Sequence, residues 1–287
     1  MTKKALLVGI NDYAPVGAGG PDLNGCVNDV RDMASTLCGM GIIPASPASL
    51  RILTDARATR KNILDGLKWL VTGAKTGDVL VFHYSGHGTQ VADISGDDPD
   101  KRDEAICPHD FNTAGFITDD TLRDIFKGVS SSVNLDVILD SCFSGTGTRA
   151  LQALDFLPEE ERITYRYLEP PLDYGFFLDA NPDLPAERFA RWDSPESGER
   201  VAVEVPNLNH VLWAGCRDNQ TSAEKKIDGV YRGVHTYSFC QCLRRLGLGI
   251  TRRQLDKALT LAVKNQGVSQ IPQTEGSKKS LGEKVFS

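Results

Sequence analysis

The stretch Val79-Leu80-Val81-Phe82-His83-Tyr84 breaks into Ser85-Gly86-His87-Gly88, and a second run, Leu135 to Leu139, breaks into Asp140-Ser141-Cys142-Phe143-Ser144-Gly145. Short apolar runs ended by Gly or Ser read as strands buried on both faces of a parallel sheet. In an open α/β sheet, chemistry gathers beyond the carboxyl ends of the strands. These two strands carry a His and a Cys to that edge, so a Cys142 nucleophile served by a His87 base is the expected pair.

Working outward, Ala5 to Ile10, Leu50 to Leu53 and His210 to Cys216 read as further strands, and Ile271-Pro272-Gln273-Thr274 as a short edge strand where Pro is tolerated. A helix capped by Asn24 carries Cys26, Val30, Met33 and Leu37 at helical spacing, with Asp29 at the edge of that stripe. Helices are also expected over Thr59 to Val71, from Asp120 to Phe126 behind a Thr118 or Asp119 cap, near His235 to Leu246, and from Thr251 to Val263. The alternation of strands and helices predicts an α/β fold with right-handed crossovers and a central, mainly parallel sheet of about six strands. A Gly/Pro loop runs from Ala14 to Pro21. Half of the 14 prolines and eight aromatic residues fall between Phe156 and Pro206, which suggests an ordered covering loop with protease-accessible parts. The expected organisation is therefore one domain in three parts: a catalytic half over 1–147, an insert or processing linker over 148–208, and a second half over 209–287.

The chain has 287 residues, 40% hydrophobic and 24% charged, with a net charge of -6. No broad basic block is present, which argues against nucleic-acid binding, and no apolar run suits a membrane span. Seven cysteines without a CxxC pair indicate a reducing, cytoplasmic setting and no structural zinc.

A thiolate that attacks an amide needs donors for the developing oxyanion, and the backbone N–H groups of Gly88 and Cys142 are the candidates. If Asp140 and Asp29 share a pocket, it is acidic and favours Lys or Arg before the cleaved bond. The acids Asp93, Asp97, Asp98, Asp100, Asp103 and Glu104, together with Asp119-Asp120, supply oxygens for calcium, although Arg102 departs from the EF-hand pattern.

Tyr84-Ser85-Gly86-His87-Gly88, Asp140 to Gly145 and Leu23-Asn24-Gly25-Cys26-Val27-Asn28-Asp29 resemble, in this order, the motifs of the metacaspases and bacterial orthocaspases. The resemblance implies a caspase-like three-layer sandwich and a His87–Cys142 dyad that needs no cofactor for its chemistry. It further implies Arg/Lys specificity through Asp29 and Asp140 with help from Ser85, protein or peptide substrates, and a monomer. It implies calcium activation through acids resembling Asp103, Asp119 and Asp120, although Gly147-Thr148-Arg149 stands where the family pattern has an acid. Self-cleavage in the insert has Arg149, Arg162, Arg166, Arg188, Arg191 and Arg200 as candidate sites. Two other readings share the fold: a non-catalytic interaction module, which the retained His and Cys disfavour, and a clostripain- or gingipain-type peptidase, which the Asn28-Asp29 segment disfavours.

Overall fold

The computed structural model describes residues 1–14, 21–92, 102–143, 162–168, 202–204, 209–217 and 220–287. The strands are β1 (Lys3–Gly9), β2 (Leu50–Thr54), β3 (Val79–Ser85), β4 (Gly88–Ala92), β5 (Arg102–Ile106), β6 (Ile117–Thr118), β7 (Asn134–Asp140), β8 (Ile163–Tyr165), β9 (Val203–Glu204), β10 (Val211–Ala214), β11 (Ala223–Ile227), β12 (Val230–Gly233) and β13 (Gln273–Gly276). The helices are α1 (Cys26–Gly39), α2 (Arg60–Val71), α3 (Phe111–Ala114), α4 (Asp119–Phe126), α5 (Val234–Leu246), α6 (Arg252–Lys264) and α7 (Lys278–Gly282).

The central sheet runs β2-β1-β3-β7-β10-β13-β9, and only the β10–β13 pairing is antiparallel. Along β1, Ala5 and Leu7 enter one core while Leu6 and Val8 enter the other, so both faces of the sheet are covered. The first core holds Met33 of α1, Phe239 of α5 and Leu255 of α6, and the second holds Ile63 and Leu67 of α2 and Phe126 of α4. This is the expected three-layer α/β sandwich.

Several local readings need correction. Asn24 does not cap α1: the N-cap is Gly25, which makes no side-chain cap. The Asn24 backbone instead donates to Glu224, 200 residues away. Asp29 lies not at the edge of the buried stripe but wholly inside it. The strand near Ile271 begins at Gln273, past Pro272, and is not an edge, because β9 pairs with its outer side. Two small antiparallel sheets were not expected, β4-β5-β6 and β12-β11-β8. Most of the insert and part of the acidic run, 93–101, lie outside the described residues, as does 15–20 of the Gly/Pro loop.

Candidate active site

β3 and β7 are parallel neighbours in register, with Ser85 opposite Asp140, so the turns that follow them leave the sheet side by side. Their proximity is tight: a Cβ on Gly88 would overlap the Cys142 carbonyl and lie 3.0 Å from the Phe143 ring. Only glycine permits that approach.

The His87 backbone is clamped by two tyrosines. Its N–H donates to the Tyr13 hydroxyl at 2.7 Å, and the Tyr84 hydroxyl donates to its carbonyl at 2.7 Å. On the ring, Nε2 lies 2.5 Å from the Pro21 carbonyl. A carbonyl only accepts, so Nε2 carries the hydrogen and Nδ1 holds the free lone pair. Nδ1 is buried and has no hydrogen-bond partner. Burial, aided by the nearby Arg166 charge, pulls the His87 pKa down to about 4, only partly offset by the Pro21 carbonyl. The ring is thus neutral, with its lone pair on Nδ1.

Cys142 is buried, and its Sγ exchanges hydrogen bonds with the backbone of Ser222: it donates to the carbonyl at 3.2 Å and accepts from the N–H. The N–H groups of Gly88 and Cys142 converge on one oxygen, the carbonyl of Arg166, at 3.0 and 3.1 Å. The Arg166 N–H donates to Ser222 O at 3.0 Å, and Leu168 N–H donates to Gly88 O at 2.9 Å. Residues 163–165 pair antiparallel with β11. The segment 162–168 therefore lies across the site as a bound peptide would, with the Arg166–Tyr167 bond beside Cys142.

The Arg166 side chain is fully buried among three carboxylates. Nη2 donates to Asp29 Oδ2 at 2.7 Å and Glu224 Oε2 at 3.3 Å. Nη1 donates to Ser85 Oγ at 2.8 Å and lies 3.2 Å from Asp140 Oδ1. Each acid is also held by neutral donors. Gly233 N–H and Ser85 Oγ bond Asp29, Ser222 Oγ and Thr236 bond Asp140, and the N–H groups of Asn24 and Gly25 bond Glu224. Gly233 forms a wall where a Cβ would strike both Asp140 and the guanidinium. Burial, reinforced by Asp140 and against the pull of Arg166, raises the Asp29 pKa to about 7. Burial also opposes ionisation of Asp140, yet Arg166 first, then His235, Ser222 and Thr236, hold it down at about 2. Three acids facing one cation leave excess negative charge, and Asp29 is where a proton goes.

The structure brings Gly88 and Cys142 together at the Arg166 carbonyl, and Asp29, Asp140 and Ser85 together at its guanidinium; His87 directly precedes Gly88, but its ring makes no hydrogen bond to Cys142, whose Sγ pairs with Ser222. Glu224, Gly233, Ser222 and Pro21 were missed. The Asp228-Gly229 pair, both at positive φ, turns the β11–β12 hairpin and was the one local signal for the strand that carries Glu224. Of the candidate cleavage positions, Arg162 is exposed and Arg166 is buried in the pocket, while Arg149, Arg188, Arg191 and Arg200 lie outside the described residues. Among the described residues no three His, Cys, Asp or Glu side chains are grouped to hold an ion, and Asp120 is paired with Arg123; Asp93, Asp97, Asp98 and Asp100 of the acidic run lie outside the described residues.

A family model described as "Metacaspase, peptidase C14 domain" matches residues 3–150. A Metacaspase-1 from Ajellomyces capsulatus is 34% identical over 268 residues, 85% of this chain and 71% of that protein. One from Pyricularia oryzae is 33% identical over 267 residues, and the chain spans 64% of that relative's length. One from Arabidopsis thaliana is 32% identical over 257 residues, with 61% of that relative covered. A crystal structure of a protein from Geobacter sulfurreducens is similar at a TM-score of 0.66 and 25% identity, covering 100% of this chain and 99% of that one.

Proposed function

Because the chain belongs to the metacaspase family, we propose that it is a cysteine endopeptidase that cuts protein or peptide chains after Arg or Lys with Cys142 and His87. The observation that carries this reading is the seating of Arg166, with its carbonyl under two N–H donors and its guanidinium among three acids.

In the reaction, His87 Nδ1 takes the Cys142 proton as the sulfur attacks the carbonyl carbon. The negative oxygen then gains charge-assisted hydrogen bonds from Gly88 and Cys142 N–H, a contribution on the order of 10²–10³ in rate per donor. His87 returns the proton to the leaving amine. The thioester left on Cys142 is hydrolysed by water that gives its proton to the same nitrogen, which passes it to the departing Cys142 sulfur. No cofactor enters these steps. The pocket suits Arg because its two terminal nitrogens reach acids on opposite walls, and a Lys ammonium fits the same acids at one point. The Arg166–Tyr167 bond is the self-cleavage site in this reading, and the enzyme acts as a cytoplasmic monomer.

A fluorogenic peptide ending in Arg tests the proposal against one ending in Asp, with calcium or chelator in parallel. The expected result is turnover of the Arg peptide alone, lost in Cys142→Ala. No turnover of the Arg peptide under either condition would favour the non-catalytic module.

A further inference from the structure

The segment 162–168 fills more than the Arg pocket. Main-chain pairing of β8 with β11 is indifferent to side chains, as when a peptide adds a strand to an exposed sheet edge, so any further selectivity lies in the alternating side chains. Ile163 and Tyr165, on one face of that strand, are half-buried against the core between the sheet and α1, α5 and α6. Beyond the bond, Leu168 is held beside Gly88 by its N–H and packs against the opposite core, as does Phe143, whose ring lies against Gly88. Thr164 and Tyr167 are also half-buried.

We infer that the cleft reads three positions besides the Arg: large apolar side chains at the second and fourth residues before the cut, counting Arg as the first, and at the second residue after it. The preferred substrate is thus an extended segment with large apolar side chains at those three positions around the Arg. Such a segment sits in the core of most folded proteins, so the substrates in this class are exposed amphipathic strands or chains already unfolded. This inference rests on the reading that Cys142 cleaves after the seated Arg.

Internally quenched peptides spanning Arg162 to Leu168 test it with the self-processed full chain. Asp is placed singly at the positions of Ile163, Tyr165 and Leu168. Exchanging a half-buried apolar side chain for a charge is expected to lower kcat/KM ~10-fold or more at each of the three positions relative to the parent. Equal kcat/KM across the set would overturn this inference while leaving cleavage after Arg standing. Failure to cut the parent and every other Arg peptide would overturn both.

Discussion

Arg166 is gripped at its two ends by different groups, the backbone donors at its carbonyl and the acids at its guanidinium, and single substitutions separate the two. Glu224→Gln removes one charge facing Nη2 and puts an NH2 group, which cannot accept, in place of one of the two oxygens that bond the Asn24 and Gly25 N–H groups. Its expected effect is a roughly 10-fold loss of kcat/KM on Arg peptides, carried by KM, with a smaller loss on Lys peptides. The two series of peptides measured side by side decide this. The pH dependence follows from His87. Its folded pKa, about 4, is depressed below the ordinary 6.5, so the base stays neutral as pH falls through the usual His range. Self-cleavage of the resting chain should therefore hold its rate to about pH 5 and fall with a midpoint near 4, and a midpoint near 6.5 would contradict the buried, Pro21-bonded ring. His87, Cys142 and Asp140 were readable as candidates because each stands at or just past the end of an apolar strand run, Asp29 because it borders a helical apolar stripe, and Ser85 through the family motif alone. Glu224 and Pro21 were not, since what defines them is a contact across the fold.

At the level of elements, the paired turns after β3 and β7 depend on Gly88. A Cβ there forces the two backbones apart and withdraws at least one donor from the oxyanion position. Gly88→Ala should lower kcat by about 10²–10³ while the thermal midpoint stays within a few degrees, measured by peptide turnover and by calorimetry. The long strands were legible because both faces are buried, and α2, α4 and α6 because Thr59, Thr118 and Thr251 cap them with side-chain hydrogen bonds. The β4–β6 sheet escaped notice because its strands are short and interrupted by polar residues. The β11–β12 hairpin escaped because Lys225 and Lys226 break its apolar alternation, although its Asp-Gly turn was there to be read.

For the whole molecule, one buried cation ties together α1, β7, β11 and the 162–168 segment. Arg166→Ala in a Cys142→Ala background leaves three buried acids without a counter-charge, which should cost about 3–5 kcal/mol of stability near pH 8 by denaturant unfolding. Part of that loss should return on acidification. Asp29 already has a folded pKa of about 7 against 3.8 with Arg166 pulling it down, and loss of that charge raises it further, so the folded variant takes up protons first and stability rises as pH falls from 8 toward 4. The claim on which all of this turns, that Cys142 is poised on the bond after Arg166, is tested most directly by intact mass after incubation of the wild type and Cys142→Ala. The expected result is a wild type cut into pieces ending at Arg166 and starting at Tyr167, with the variant whole; identical single species in both samples would contradict it.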